Sequence, residues 1–231
     1  MTDIVGPERY TDNAVAMWRS RAQRFTDTAD LFRADLPDTT RIIVRRPAAA
    51  VRLGDLPPVP VTVEDPFGRL TPEPPATRTL RMPVMIRVPG GPVAASPGHV
   101  RTVRTAADLA DAERVIVDGF PLPRHQPWRR GAALPPAMLD LPGWRFWLAY
   151  HGGQPAAAAY TFDDGRVIGV YWLATLPEHR SSGLGRAVMT ATIAGHPDRT
   201  LTLVATDAGV PLYRSMGFQT VSTAVWHVFG G

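Results

Sequence analysis

The chain has 231 residues, a formal net charge of +4 and no cysteine. This length accommodates one large domain or a domain with a smaller partner, and a hydrophobic content of 45% is ordinary for a globular protein. The absence of cysteine excludes disulfides, thiolate metal sites and an acyl intermediate on a protein thiol, while the small charge, with no basic stripe interleaved with aromatic residues, argues against nucleic-acid binding.

The N-terminal region is rich in proline and has little periodicity. One stretch departs from this, because Val15, Trp18, Ala22 and Phe25 recur at helical spacing behind Asp12, a residue type that caps helices. This pattern predicts an amphipathic helix. Its apolar face must cover either the domain in the C-terminal half of the chain or a second subunit, so a homodimer is one of the assemblies that we consider.

Two runs in this region have the composition of strands, residues 41–45 and residues 80–88. Between them, the proline density of residues 56–75 argues against a regular helix or a central strand, because proline lacks the N–H group that both need. The run Pro-Gly-Gly-Pro at residues 89–92 predicts a turn that ends the second strand. This turn is a natural boundary between the N-terminal region and the rest of the chain.

From His99 onward the signals become regular. Val100 and Val103 predict a short strand, and residues 105–108 (Thr-Ala-Ala-Asp) have the form of a capping box, in which each end satisfies a helix N–H. We expect the helix that follows to run to about Asp118 and to stop at Gly119.

The remaining elements alternate between strands and helices. The patterns predict strands at residues 144–150, 155–162, 166–175, 200–205 and 218–229, and helices from about 183–185 and at 210–216. The pair Asp164-Gly165 is a strong hairpin signal. This order predicts an α/β (α+β) fold, a mixed central β-sheet flanked by helices.

Hydropathy gives no sign of a membrane protein. No window approaches about 18 uncharged apolar residues, so we expect no membrane-spanning helix. The first residues lack a basic region followed by an apolar one, so no secretory signal is predicted. We therefore expect a cytoplasmic protein.

The segment that follows the strand at 166–175 has the features of an anion site. Here a strand runs into a glycine-containing turn and then into a helix, which gathers unpaired backbone N–H groups and the positive end of a helix dipole. Glycines at 183 and 185 let an anion approach the backbone without interference from a Cβ atom. Such a site suits a pyrophosphate.

Two common phosphate loops do not fit this segment. A Walker A loop needs a lysine, and all 25 basic residues of this chain are arginine. The dinucleotide fingerprint Gly-x-Gly-x-x-Gly ends here in Val188. The segment instead resembles the Arg/Gln-x-x-Gly-x-Gly/Ala signature of the GNAT superfamily, which residues 180–185 (Arg-Ser-Ser-Gly-Leu-Gly) match in full.

A second segment carries the same resemblance. Residues 206–218 are similar to the later part of the GNAT domain, where a strand leads into a short helix ending in Leu-Tyr-x-x-x-Gly-Phe. The family often has alanine four residues before this tyrosine, where the chain has Gly209, and asparagine commonly precedes it, where the chain has Thr206 or Asp207. The resemblance covers roughly His99 to Phe229.

This resemblance implies an N-acyltransferase that moves an acetyl group from acetyl-CoA to an amine, by direct attack in a ternary complex and without a metal. The acceptor would be the amine of a small molecule or a peptide. In the family the turn binds the pyrophosphate of coenzyme A, and the preceding strand end offers backbone groups to the pantetheine arm and the acyl carbonyl. The implied cofactor-binding residues are Leu173, Ala174, Thr175, Arg180, Ser181, Ser182, Gly183, Leu184, Gly185 and Arg186.

Tyr213 is the catalytic residue that the resemblance implies. A phenol with a pKa of about 10 stays protonated at neutral pH and can protonate the departing thiolate. The alternative is an aromatic ring that only packs under the cofactor. For the arginines, Arg180 either touches phosphate or supports the turn, and Arg186 opposes the helix dipole unless a phosphate lies against it.

The general base is not identified. The strand position where some relatives carry glutamate falls near Ile168, which cannot act. The candidates, each of which has a surface or packing role as its alternative, are Tyr171, His151, His125, Glu178, His179 and a chain of water molecules. A loop with Arg124, Trp128, Arg129 and Arg130 either selects an acidic acceptor or is a solvated basic loop.

These motifs predict two parts of the chain: residues 1–98, an N-terminal extension or degenerate GNAT-like half, and residues 99–231, the acyltransferase domain.

Two functions other than acyl transfer stay open. One is a non-catalytic module on the same fold that binds or senses acyl-CoA. The other is a basic protein-interaction domain in which the glycine turn is incidental.

Overall fold

The computed structural model describes residues 6–48, 50, 53, 56–91, 94–95, 98–120 and 122–230. The chain forms two compact units: a terminal unit, Met1–Arg87 with Thr202–Gly231, and a central unit, Val88–Leu201. This division reflects packing, whereas the division into 1–98 and 99–231 reflects motifs and stays a prediction.

Over the described residues the α-helices are α1 (Glu8–Arg21), α2 (Ala106–Gly119), α3 (Leu184–Ala194) and α4 (Val210–Ser215). The strands are β1 (Arg24–Asp27), β2 (Leu31–Asp35), β3 (Thr40–Val44), β4 (Val61–Asp65), β5 (Arg78–Arg87), β6 (Val100–Thr102), β7 (Trp144–His151), β8 (Gln154–Asp163), β9 (Val167–Thr175), β10 (Thr200–Val204) and β11 (Gln219–Phe229). In the described part of the chain, no helix combines the length and the apolar character needed to cross a membrane.

The terminal unit is built on a mixed sheet with the strand order β1-β2-β3-β4-β11-β5-β10. Strands β3 and β4 are parallel, whereas the pairs β1–β2, β2–β3, β4–β11 and β11–β5 are antiparallel. Helix α1 packs against β2 and β3. One apolar cluster of this unit consists of Ile42, Val44, Leu53, Val61, Val63, Leu70 and Phe229.

A buried ion pair ties α1 to this sheet. The carboxylate of Glu64 accepts a hydrogen bond of 2.9 Å from the hydroxyl of Tyr10 and pairs with the guanidinium of Arg41 at 2.9 Å. That guanidinium lies 4.9 Å from the ring centroid of Trp18, within the range of a cation–π interaction. Burial raises the pKa of Glu64, and the charge of Arg41 opposes that rise. Tyr10 and Trp18 therefore fix the buried face of the helix.

The central unit has the strand order β9-β8-β7-β6, and each of these pairs is antiparallel. Helix α2 packs mainly against β8 and β9, and α3 packs against β7, β8 and β9. Residues 156–159 of β8 are four alanines with no exposed surface, and such small side chains let helices approach the sheet closely. The core cluster that includes α3 consists of Val100, Trp147, Ala149, Ala156, Ala157, Ala159, Leu184, Ala187, Val188 and Ala191.

The predicted helix cap at the start of α2 forms. The hydroxyl oxygen of Thr105 accepts a hydrogen bond of 3.1 Å from the backbone N–H of Asp108. The Asp108 carboxylate, however, accepts a bond of 2.7 Å from the Thr105 hydroxyl, so it does not complete the box through a backbone N–H group. Helix α2 ends at Gly119, as predicted.

Most predicted elements are confirmed, with bounds that agree within two residues. These are β3, β5, β6, α2, β7, β8, β9, α3, β10, α4 and β11. The predicted turn at residues 89–92 includes Pro92, which lies outside the described residues, while Gly90 has the left-handed φ of +109° expected of glycine in a turn.

Three expectations for the N-terminal region are wrong. Helix α1 begins at Glu8, so Asp12 is an interior residue, and it ends at Arg21. Phe25, expected on the apolar face of that helix, lies in strand β1 with 52% of its surface exposed. Residues 56–75 contain β4, which lies between β3 and β11. The prolines at 60 and 66 flank this strand, so they remove no ladder hydrogen bond.

Candidate functional site

The segment between β9 and α3 is an exposed turn with two residues in the left-handed region. After β9 ends at Thr175, a short 3₁₀ turn spans Pro177–His179. The φ angles of Ser181 and Gly183 are +62° and +81°. A Cβ atom placed on Gly183 would have no neighbour within 4 Å. The space beside this glycine is therefore open to a ligand.

Helix α3 presents the N–H groups of its first turn at the same place. The first hydrogen bond of the helix joins the N–H of Ala187 to the carbonyl of Gly183 at 2.9 Å. The N–H groups of Leu184, Gly185 and Arg186 precede that bond, and Gly183, the N-cap residue, has no side chain that could cap them. Since the positive end of the helix dipole lies here as well, the turn has the chemistry of an anion site.

The side chain of Arg180 supports this turn. Its Nη2 donates a hydrogen bond of 3.0 Å to the carbonyl of Gly119, and its Nε donates one of 3.4 Å to the carbonyl of Thr175. The hydroxyl of Ser182 donates to the carbonyl of His179 inside the turn. Of the two roles open to Arg180, these contacts favour support of the turn.

The strand end that precedes the turn is irregular. Ala158 of β8 faces Ala174 of β9, but Tyr160 faces Tyr171, so β9 carries an extra residue between these pairs. This is a β-bulge, and within it Trp172 has a left-handed φ of +50°. A bulky residue in that region is strained, and such strain concentrates at functional sites. Leu173, Ala174 and Thr175 follow directly.

A cleft of about 540 Å³ lies beside the turn in the central unit. It is lined by Asp111, Arg114, Val115, Asp118, Gln154, Pro155, Leu176, Pro177, Glu178 and His179. Its helix side carries an ion pair of 3.5 Å between Arg114 and Asp118. The ring of His179 lies 5.1 Å from that of His151. Three of the candidate bases, Glu178, His179 and His151, are thus close together near the turn.

The other candidate bases contact different residues. Tyr171 is half-buried, and its ring stacks on Tyr160 with 5.5 Å between the centroids. His125 contacts Arg124 at 3.1 Å in the basic loop. Ile168, whose aliphatic side chain has no group that could act as a base, is completely buried.

Tyr213 lies in α4 of the terminal unit. The residue is 8% exposed, and its ring contacts Phe218 edge-on with 5.7 Å between the centroids. Burial raises the pKa of the Tyr213 phenol to about 12. The hydroxyl therefore stays protonated throughout the neutral range and is able to donate a proton.

Glu113 is an important residue that sequence reasoning missed. Its buried carboxylate accepts hydrogen bonds from the indole of Trp128 at 3.2 Å and from the backbone N–H groups of Gly131, Ala133 and Leu134 at 2.7, 2.7 and 2.8 Å. These bonds fix the basic loop to α2. Its place on the apolar face of that helix, three residues before an isoleucine, was the available signal.

Across the residues whose positions are described, no group of three histidine, aspartate or glutamate side chains is arranged to hold a metal ion.

The sequence comparison identifies one family. Residues 142–220 match the model of an acetyltransferase (GNAT) domain. That segment contains the bulged strand, the glycine turn, α3 and the helix that carries Tyr213. A comparison with curated proteins finds no match.

Solved structures share the fold along nearly the whole chain. A GCN5-related N-acetyltransferase from Kribbella flavida superposes with a TM-score of 0.67 and 19% identity over 98% of this chain and 97% of its own. A GNAT-family protein from Novosphingobium aromaticivorans superposes with a TM-score of 0.63 and 18% identity, over 88% of this chain and 89% of its own. For a GCN5-related N-acetyltransferase-like protein from Streptococcus suis the TM-score is 0.58 and the identity 11%, over 96% of this chain and 98% of its own.

These likenesses confirm the predicted fold, a mixed sheet flanked by helices. The family match falls on the segment in which the sequence motifs lie. Residues 142–220 therefore match the acetyltransferase (GNAT) domain, and the chain shares the fold of solved structures described as GCN5-related or GNAT-family acetyltransferases.

Proposed function

We propose that the protein transfers the acetyl group of acetyl-CoA to the amine of a small molecule or a peptide. The observation that carries this proposal is the open turn at Gly183. There, left-handed backbone, an uncapped helix N-terminus and free space combine after a bulged strand. A pyrophosphate is the group of coenzyme A that such a turn suits.

The donor is assigned to one continuous segment of the central unit. The pyrophosphate would lie against the turn and the first turn of α3, which comprise Arg180, Ser181, Ser182, Gly183, Leu184, Gly185 and Arg186. The pantetheine arm and the acyl carbonyl would lie along Leu173, Ala174 and Thr175. A backbone N–H near Ala174 or Thr175 would stabilise the negative charge that develops on the carbonyl oxygen.

The transfer is proposed to proceed by direct attack. The amine nitrogen forms a bond to the acetyl carbon, the carbon–sulfur bond breaks, the amine loses a proton and the thiolate gains one. Without cysteine, the chain has no thiol that could carry the acetyl group between the two substrates.

Tyr213 is proposed as the residue that protonates the departing thiolate. The place of this tyrosine in the Leu-Tyr-x-x-x-Gly-Phe segment supports this role, and its pKa of about 12 means that the phenol still holds its proton at any pH at which the enzyme would work. The base that takes the proton of the amine is left to the group of Glu178, His179 and His151, or to water.

The experiment is a screen of amines with acetyl-CoA in which the free thiol of released coenzyme A is followed with a thiol reagent. Because the chain has no cysteine, the protein contributes no signal of its own. We expect amine-dependent release of thiol by the parent, a loss of about tenfold or more in kcat for Tyr213→Phe, and little change for Tyr150→Phe as the matched control.

Two results would count against the proposal. Acetyl-CoA binding without transfer to any amine would favour the module that only binds or senses acyl-CoA. A folded protein that neither binds acetyl-CoA nor releases thiol would overturn the assignment of the turn.

A further inference from the structure

The loop that follows α2 is held to that helix by a single carboxylate. Glu113, which is fully buried, accepts one hydrogen bond from the indole of Trp128 and three from the backbone N–H groups of Gly131, Ala133 and Leu134. Hydrogen bonds to an ionised group are stronger than those between neutral groups. They fix residues 128–134, which we call the anchored loop, against the helix.

Two arginines lie between the first two anchors of this loop. Arg129 and Arg130 follow Trp128 directly and precede Gly131, and both are exposed. The N–H of Ala132 donates a hydrogen bond of 3.1 Å to the carbonyl of Arg129, which closes a turn around the pair. The backbone of the two arginines is therefore ordered before a ligand arrives, and such order reduces the entropy that binding costs.

The charges of these two arginines are not neutralised by the loop. Between Asp118 and Asp140 the sequence contains no aspartate or glutamate, and the hydrogen bonds of Glu113 go to the indole and to backbone donors. Over the part of the chain that the structure describes, neither arginine forms an ion pair. The loop therefore presents two guanidinium groups to solvent, and a guanidinium matches the two oxygens of a carboxylate.

The chain enters this loop from a point beside the strand end to which the acyl carbonyl is assigned. Gly119, the last residue of α2, accepts a hydrogen bond from Arg180, and a Cβ atom on Gly119 would lie 2.9 Å from Cβ of Ala174 and 3.3 Å from the carbonyl oxygen of Thr175. At about 1.5 Å of rise per residue, Glu113 lies about 9 Å further back along the axis of α2. A short peptide spans such a distance, since an extended chain covers about 3.5 Å per residue.

We propose that Arg129 and Arg130 select the acceptor by binding a carboxylate on the molecule whose amine is acetylated. This proposal rests on the proposed function and gives its acceptors a chemical class, namely amines that also carry a carboxylate several bonds from the nitrogen. The same two positive charges repel acceptors that carry additional ammonium groups. The pair therefore favours acidic acceptors and disfavours basic ones.

The test is the thiol-release assay with pairs of acceptors that share one amine and differ by one charge. The pairs are the amidated dipeptides Ala-Glu and Ala-Gln, and β-alanine with its amide. In the parent, we expect kcat/KM for the acidic member of a pair to be about tenfold higher or more, as one charge-assisted hydrogen bond supplies.

The variant Arg129→Ala/Arg130→Ala should lose this preference. We expect the ratio within each pair to fall below about twofold, while KM for acetyl-CoA changes by less than about twofold. Arg166→Ala, which removes an exposed arginine of the Asp164-Gly165 hairpin, is the matched control and should keep the preference of the parent.

Charge reversal separates recognition of charge from damage to the loop. Arg129→Glu/Arg130→Glu should lower kcat/KM for amidated Ala-Glu below the value in the alanine variant, and should change kcat/KM for amidated Ala-Gln by less than about twofold. Equal losses on the two peptides would overturn the proposal.

The outcomes separate this proposal from the function on which it rests. No release of thiol with any amine, acidic or not, would overturn the proposed function. Release with neutral or basic amines and no preference for acidic ones would overturn this proposal while the function stands. A preference that survives in Arg129→Ala/Arg130→Ala would do the same, and so would a rise in KM for acetyl-CoA in that variant, because the arginines would then serve the donor.

Discussion

Nη2 of Arg180 donates a hydrogen bond of 3.0 Å to the carbonyl oxygen of Gly119, the last residue of α2. The arginine of the family motif therefore joins the turn to a helix C-terminus, where carbonyl groups lack helical partners and a cation is favoured. Gly119 lets the end of α2 lie close to strand β9, because a Cβ atom on residue 119 would lie 2.9 Å from Cβ of Ala174.

This contact gives a prediction for substitutions of Arg180. Arg180→Ala removes both carbonyl contacts that hold the turn and should therefore weaken acetyl-CoA binding by about tenfold. Arg180→Gln keeps one donor and should lose less. Arg166→Ala, an exposed arginine of the Asp164-Gly165 hairpin, serves as the control.

The salt dependence of binding tells support of the turn from contact with phosphate. Because the guanidinium is held by carbonyl groups, Arg180→Ala should leave the slope of affinity against salt concentration unchanged. A clearly shallower slope in the variant would mean that Arg180 neutralises the anion directly.

Glu113→Gln should destabilise the central unit by about 3 kcal/mol, because an amide cannot accept all four hydrogen bonds and leaves buried N–H groups unpaired. Urea unfolding would measure the loss. Glu178→Gln, an exposed change of the same kind, should stay within about 0.5 kcal/mol of the parent. Equal stability of the two variants would contradict the role assigned to Glu113.

The phenol of Tyr213 should lose its proton at a higher pH than an ordinary tyrosine does. Burial raises its pKa to about 12 from an ordinary value of 10.0, so the unfolded chain releases this proton at lower pH than the folded protein. Its contribution to stability is therefore complete below pH 10 and is lost as the pH rises toward 12. The difference in phenolate absorbance between the parent and Tyr213→Phe measures the midpoint, and a value near 10 would contradict the burial of the ring.

His196 should make the folded protein less stable at acidic pH, whereas Tyr213 does so at alkaline pH. Burial and then the positive charge of Arg145 lower its pKa to about 4 from 6.5. Stability from the neutral ring is thus present above pH 6.5 and is lost as the pH falls toward 4. Nuclear magnetic resonance of the ring protons would follow this titration, with Arg145→Ala expected to raise the pKa. A midpoint near 6.5 in the parent would refute the assignment.

The elements of the central unit could be predicted because their signals are local. Alternating side chains, the Asp164-Gly165 turn and the Thr105 cap each specify structure within a few residues. The hairpin of β1 and β2 gave no such signal, since all four residues of β1 are exposed. Strand β4 was rejected on proline density, although its five residues contain no proline.

The candidate site also combines features that local sequence patterns predict with features that they do not. The glycine turn was predictable because it depends on backbone freedom at Gly183 and on the helix that follows. The contacts of Arg180 with Gly119, and of Glu113 with the loop after α2, join residues far apart in the chain. Such contacts follow from packing, which no local pattern of residues specifies.

The central claim is that acetyl-CoA binds at the turn of Gly183. The most direct test is calorimetric titration of acetyl-CoA into the parent, Gly183→Glu and Gly165→Glu. Both glycines have open surroundings and similar φ angles, +81° and +88°, so both variants carry the same backbone strain and added charge. We predict that the parent and Gly165→Glu bind alike and that Gly183→Glu loses binding while it stays folded. Equal binding by both variants, or no binding by the folded parent, would contradict the claim.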